Sequence, residues 1–211
     1  MFEGKPIIGL AGGIGSGKTF VAKIFGEEGC LVIHSDEMVK HVYRDETVKH
    51  TLKQWWGKMV FDPNGDVDRS AIARKIFTFP SERQRLERLI HPLVNEHRQH
   101  LMKAAAHDPA IKAYVWDTPL LFETDLNKHC DAVVFMEADL ATRLERVKGR
   151  GWDEQELKRR ENLQMTLDSK AKISDYSIAN PAGQEVAEVR RQVREVLSRI
   201  LERVAAETGP R

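Results

Sequence analysis

The chain has 211 residues, 41% of them apolar and 31% charged, with a formal net charge of +1. That balance suits a soluble globular protein with a real core, in one domain or one with a large insertion, and argues against a dedicated nucleic-acid binder, which carries a strong basic excess. No apolar run approaches the roughly 20 residues of a membrane span, nothing resembles a signal peptide, and Cys30 and Cys130 form no Cys-x-x-Cys pair, so the cytoplasm is the expected compartment.

The apolar run Pro6-Ile7-Ile8-Gly9-Leu10-Ala11 reads as a buried strand. Next comes Gly12-Gly13-Ile14-Gly15-Ser16-Gly17-Lys18-Thr19, which fits the phosphate-loop pattern G-x-x-x-x-G-K-[ST] at every fixed position. Its glycines allow positive φ and leave no side chain in the way of a phosphate, so peptide N–H groups can ring an anion at a helix N-terminus. Lys18 is the expected ligand of the β- and γ-phosphates, and the Thr19 hydroxyl the expected ligand of Mg²⁺. Phe20 to Phe25 continue as a first helix, stopped near Gly29.

Cys30-Leu31-Val32-Ile33 reads as a second strand, followed by His34-Ser35-Asp36. In a doubly wound sheet ligands bind beyond the carboxyl ends of the strands. Asp36 is therefore either a carboxylate of the site, placing Mg²⁺-associated water or taking a proton from an acceptor hydroxyl, or a cap for a helix beginning at Glu37.

From residue 36 to 110 strand and helix do not alternate. Val39, Val42 and Tyr43 suggest a helix continued through Leu52, Trp55 and Trp56. Asp62 to Asp66 is a turn, and Asp68 leads into Ile72, Ala73, Ile76 and Phe77 at helical spacing. Ser81 with Gln84 reads as the start of another helix, which Pro92 is expected to kink or split. The region reads as a helical insertion. Trp55 and Trp56 are either acceptor pocket or core; His91 is either a site residue or a structural histidine.

Ala113 to Asp117 reads as a third strand, with Asp117 where phosphate-loop enzymes often place a second Mg²⁺-shell carboxylate. Pro119-Leu120-Leu121-Phe122-Glu123 suggests a loop lining the cleft. Asp131 to Glu137 is a fourth strand. The next helix carries Arg143, Arg146 and Arg150 on one face, either a solvated, salt-bridged surface or a lid whose arginines close on transferring phosphates. Asp175 to Asn180 is a short fifth strand, and Val186, Val189, Val193, Leu197, Ile200 and Val204 mark a closing helix, with Thr208 to Arg211 as a frayed tail.

Taken in order, these motifs make the chain resemble the dephospho-coenzyme A kinase family over essentially its whole length. The resemblance rests on Gly12 to Thr19, on Asp36, on Asn64-Gly65-Asp66-Val67-Asp68-Arg69 followed by Phe77, and on Leu86-Glu87-Arg88-Leu89-Ile90-His91-Pro92. Pro119 to Glu123, Arg146 and Arg150, and Arg160, Gln164, Lys170 and Asp175 to Asn180 complete it. The chain departs from the family at Ala11, where threonine is frequent, at His34-Ser35, and at Gly151 and Ser169.

The resemblance implies an α/β phosphate-loop fold with a five-stranded parallel sheet, a helical acceptor insertion and a helical lid. The implied division is a nucleotide core of 1–36, 108–140 and 174–211, an acceptor domain of 37–107 and a lid of 141–173. The implied reaction moves a phosphoryl group from ATP, with Mg²⁺, to the ribose 3′-hydroxyl of dephospho-coenzyme A. Implied catalytic residues are Asp36 as base, Lys18 and Arg146. Gly12, Gly13, Ile14, Gly15, Ser16, Gly17, Lys18, Thr19, Arg150 and Asn180 would bind the nucleotide. Asp36, Arg69, Phe77, His91, Pro119 and Leu120 would bind the acceptor, and Thr19 and Asp36 the metal. The implied partners are small-molecule substrates, with no nucleic acid and no membrane, in a monomer or weak homo-oligomer. A nucleoside or nucleotide kinase of the same fold leaves His91-Pro92 and Pro119 to Glu123 unexplained. A GTPase-like switch lacks its guanine motif, since Asn127-Lys128-His129-Cys130 has no acid.

Overall fold

The computed structural model describes residues 1–208, and the tail expected to fray lies, beyond Thr208, outside them. The chain divides into two compact units, Met1–Ile33 with the chain from Met102 onward, and His34–Leu101.

The first unit holds a five-stranded parallel sheet of β1 (Ile7–Gly12), β2 (Cys30–His34), β3 (Ala113–Asp117), β4 (Ala132–Glu137) and β5 (Tyr176–Ala179), in the order β2-β3-β1-β4-β5. Every residue of β1 is buried, as expected of a central parallel strand covered on both faces. Leu10 of β1 lies level with Asp117 of β3 and Val134 of β4. The chain leaves β1 for β2 on one side and reaches β4 on the other, so the switch point of the sheet lies at the carboxyl end of β1.

The alternation of β4 sorts two cores. Ala132, Val134 and Met136 pack with Ile8, Leu10, helix α1 (Lys18–Glu27) and Val189, Val193, Leu197 and Ile200 of the last helix. Val133 and Phe135 pack on the other face with Ala11, Leu121 and Phe122. Cys30 is plain core, and burial pushes its thiol up to about 12. A 3-10 turn (Leu126–His129) precedes β4, and α6 (Leu140–Lys148), α7 (Glu154–Glu161), α8 (Leu167–Lys172) and α9 (Val186–Thr208) follow it in this unit. Asp139, Asp153 and Thr166 cap α6, α7 and α8 by accepting backbone N–H groups of the first turn. Arg150 falls outside α6, which ends at Lys148, so the three arginines do not share one helix.

The second unit is helical: α2 (Ser35–Val42), α3 (Glu46–Trp56), a 3-10 turn (Gly57–Val60), α4 (Arg69–Thr78) and most of α5 (Pro80–Ala104). The single helix expected from Val39 to Trp56 is two helices. Asp45 ends the continuity, because its carboxylate accepts the N–H groups of Thr47 and Val48 and starts α3. Asp68 does the same for α4 through Ser70 and Ala71. Helix α5 starts at Pro80, one residue before the expected Ser81, with a proline where a missing N–H costs nothing. Pro92 does not split it. Leu86, Ile90 and Val94 are buried at four-residue intervals on both sides of the exposed proline, so one apolar stripe carries the helix across a lost backbone bond. Trp56 belongs to this unit's core, 7% exposed, its indole N–H donating to Glu82 at 2.6 Å. Trp55 lies edge-on to it under the Arg85 guanidinium.

Candidate active site

The phosphate loop runs from the end of β1 into α1. Gly15 has φ +80°, and a Cβ there would stand 2.7 Å from the Arg143 carbonyl oxygen of α6. Glycine is thus demanded both by the turn and by the helix packed behind it. Ser16 is 1% exposed, and its Oγ has no hydrogen-bond partner among the described residues. A buried hydroxyl left unpaired costs about 1–3 kcal/mol, a strain that a phosphate-binding loop can carry for its ligand.

Lys18 lies back along the loop, its Nζ donating to the carbonyls of Gly12 at 3.1 Å and Gly13 at 3.4 Å. Burial lowers its pKa to about 8; Asp117 and Glu123 pull it up, while Lys170 and Arg150 press it further down. The ammonium therefore sits in a field of mixed charges, and its hydrogen-bond partners among the described residues are neutral carbonyl oxygens, weaker partners than a phosphate oxygen.

Thr19 Oγ1 donates to Asp117 Oδ2 at 3.0 Å. Asp117 ends β3 and is 9% exposed. A hydroxyl in the first turn of α1 and a carboxylate at the end of β3 are hard oxygen donors of the kind Mg²⁺ takes, so this pair fits the ion. The metal residues implied by the resemblance are Thr19 and Asp36; the sequence marks Asp117 only by its strand-end position, where phosphate-loop enzymes often place a Mg²⁺-shell carboxylate.

Two residues remote in sequence hold the loop. Arg146 Nη1 donates to the carbonyls of Ser16 at 3.2 Å and Gly15 at 3.4 Å, and Nη2 to Asn180 Oδ1 and the Pro181 carbonyl at 3.3 Å each. Asn180 Nδ2 donates to the Ser16 carbonyl at 2.8 Å. Arg143, 6% exposed, pairs with Glu161 of α7. Neither arginine belongs to a solvated surface. Arg150, in contrast, is exposed, in the turn after α6.

A further contact was not among the expected site residues. Glu123, in the turn after β3, takes the ammonium of buried Lys170 at 3.0 Å and the Met165 N–H at 2.9 Å. Its signal in the sequence is Pro119 to Glu123, which suggests a cleft-lining loop and carries part of the family resemblance without assigning Glu123 a partner. Pro119 is exposed there, and Leu120 half-buried.

The other expected acceptor residues lie in the second unit. Asp36 is the second residue of α2, which begins at Ser35 with His34 at its cap position, so Asp36 is exposed in the first turn and is not the cap. Arg69 opens α4, and its charge reaches α2: Lys40 first, and His34 and Arg69 after it, hold the Glu37 carboxyl below its ordinary value. Phe77 is 68% exposed. His91 is exposed and lines a shallow hollow with Gln84, Glu87 and Arg88.

The sequence model of the family described as dephospho-CoA kinase (CoaE) matches residues 6–185. The chain is 32% identical over 197 residues, 92% of its length and 98% of the relative's, to a dephospho-CoA kinase of Corynebacterium glutamicum. It is 35% identical over 177 residues, 82% of its length and 84% of the relative's, to one of Leptospira interrogans. Among solved structures it is similar to TT1252 from Thermus thermophilus, with a TM-score of 0.78 and 29% identity over 92% of this chain and 97% of that one.

Proposed function

The chain belongs to the dephospho-CoA kinase family, and on that premise we propose that it carries a phosphoryl group from ATP to the ribose 3′-hydroxyl of dephospho-coenzyme A, giving coenzyme A and ADP. The observation that carries the reading is the match of residues 6–185, which runs through a phosphate loop whose threonine already faces a strand-end carboxylate.

The reaction forms a bond from the ribose oxygen to the γ-phosphorus and breaks the bond to the bridging β–γ oxygen, so positioning and charge do most of the work. Gly12 to Thr19 cradle the donor phosphates through backbone N–H groups, and Lys18 exchanges its carbonyl partners for phosphate oxygens. Arg146, fastened to two loop carbonyls, brings a fixed guanidinium to the donor side of the site, and Arg150 adds a second. Asn180 is assigned to the nucleotide site as the residue that holds the loop's shape. Mg²⁺, when bound, offsets phosphate charge, and Thr19, Asp117 and Asp36 are the residues we assign to it.

Asp36 is our candidate for the carboxylate that receives the hydroxyl proton. The acceptor residues are assigned as Arg69, Phe77, His91, Pro119 and Leu120. Among the described residues no helix is long and apolar enough to cross a membrane. We propose a cytoplasmic monomer or weak homo-oligomer that meets only small-molecule substrates.

The test is ADP release from Mg·ATP with dephospho-coenzyme A beside adenosine, AMP, CMP and pantothenate. Turnover confined to dephospho-coenzyme A supports the reading. Turnover with a nucleotide or nucleoside instead overturns the acceptor assignment while leaving the phosphate loop its role.

A further inference from the structure

Lys170 is the fourth residue of α8 and is 2% exposed. Its ammonium donates to Gln164 Oε1 at 2.8 Å and meets Glu123 Oε1 at 3.0 Å. The same carboxylate oxygen accepts the Met165 N–H, so one atom of the β3-exit turn ties down both the α8 lysine and the chain entering α8. Although burial opposes it, the hydrogen bonds from Lys170 and the Met165 N–H hold the Glu123 carboxyl below its ordinary value. Leu121 and Phe122, just before Glu123, are core, and Leu167 of α8 packs against the same cluster.

The fastening does not need charge. Buried ion pairs lose most of their attraction to desolvation, and apolar residues of the same size often hold a fold as well or better. This pair has a second property, its place beside the phosphate loop: Leu167, three residues before Lys170 in α8, packs so close to the loop that a Cβ on Gly13 would stand 3.2 Å from its Cδ2, and the charges of both partners reach Lys18. We propose that Lys170 and Glu123 are a positioning pair for phosphoryl transfer, which sets the charge beside Lys18 by fixing the β3-exit turn to the segment 164–170. The proposal rests on the phosphoryl-transfer reading above. Glu123 keeps Lys170 from swinging out to solvent or folding onto the donor phosphates as a competing ligand. Lys170 in turn keeps an unpaired carboxylate from facing them.

The experiment is a steady-state comparison of the wild type with Lys170→Met/Glu123→Leu, Glu123→Gln and Lys170→Arg, each with its melting temperature. The double variant replaces the pair by apolar side chains, so its fold is expected to melt at or above the wild-type temperature. Its kcat is expected to fall about tenfold or more, with KM for ATP and acceptor within about threefold of wild type. Lys170→Arg keeps the charge and is expected to retain most of kcat. A double variant with wild-type kcat overturns the proposal, as does a loss confined to KM. If the double variant does not fold, Glu123→Gln decides: it keeps the shape and removes the charge, so an unchanged kcat overturns the pair's role and a fall of about tenfold supports it. Wild-type turnover with dephospho-coenzyme A tests the reaction by itself, and the ratio of variant to wild type tests the pair on whichever acceptor is turned over.

Discussion

The side-chain amide of Asn180 donates to the Ser16 carbonyl at 2.8 Å, and a Cβ placed on Gly17 would come within 2.3 Å of that same nitrogen. The residue after β5 and the last glycine of the phosphate loop thus occupy adjoining space. Gly17 also has φ +90°, which a Cβ disfavours. Gly17→Ala is therefore expected to displace Asn180 and deform the loop. ATP binding, measured by calorimetry, should weaken by about tenfold or more while the far-ultraviolet dichroism stays that of the wild type. Binding at wild-type strength would refute the packing reading.

Asp117 and Thr19 form the oxygen pair assigned to Mg²⁺. Asp117→Asn keeps the size and an acceptor oxygen but removes the charge. The Mg²⁺ concentration for half-maximal activity should rise about tenfold, with little change in KM for the acceptor. A metal titration of activity at fixed ATP checks this; an unchanged curve removes Asp117 from the metal site.

Asp36, exposed in the first turn of α2, is assigned the proton of the acceptor hydroxyl. Asp36→Asn is expected to lower kcat by about a hundredfold and to leave ATP affinity near wild type, because a base acts in the transition state. A change confined to KM for ATP would count against the role.

Arg146 spreads two guanidinium nitrogens over the carbonyls of Gly15, Ser16 and Pro181 and the Asn180 amide oxygen. Lysine offers one nitrogen and no planar fork. Arg146→Lys should cost about tenfold or more in kcat/KM for ATP and should lower the melting temperature, since loop carbonyls and Asn180 lose donors. Unchanged kinetics and stability would show that the contacts carry little weight.

His41 and His97 stack in the helical unit with ring centroids 4.4 Å apart and an interplanar angle of 12°. They line a cavity of about 400 Å³ with Arg44, Asp45, Glu96 and His100. Burial lowers the His97 pKa from its ordinary 6.5, and His41 and His100 lower it further. The unfolded chain then takes up this proton before the folded chain does. Stability from His97 is complete above about pH 6.5 and is lost as pH falls through its lower folded value. Melting temperatures between pH 7.5 and 5 should therefore decline, and His97→Gln should flatten the decline. An equal slope in both proteins would exclude His97 as a source.

Part of this was legible from residue order because the governing interactions are local. Positive φ at Gly15 and Gly17 is a demand of the loop itself, and the pattern of Gly12 to Thr19 displays it. Asp68 caps α4 with N–H groups two and three residues away, within sight of any reading in order. Strand β3 ends at Asp117 as expected, because a run of buried apolar residues ends where a charge appears. Where local signals conflict, order alone leaves alternatives open. Pro92 is expected to kink or split its helix, and it does not split it: the stripe of Leu86, Ile90 and Val94 carries α5 across it, and packing over several turns outweighs one lost bond.

By itself the sequence determined the parallel α/β core, the helical insertion, the phosphate loop and the family. Each rests on periodicity or on motifs whose residues act on near neighbours. Only the tertiary structure decided what Arg146, Asn180, Glu123 and Lys170 touch. Arg146 reaches back to Ser16 across 130 positions, and Asn180 to the same residue across 164. No spacing rule joins such residues. A guanidinium or ammonium withdrawn from solvent takes the partner that packing leaves within about 3 Å, and that partner is set when the elements meet.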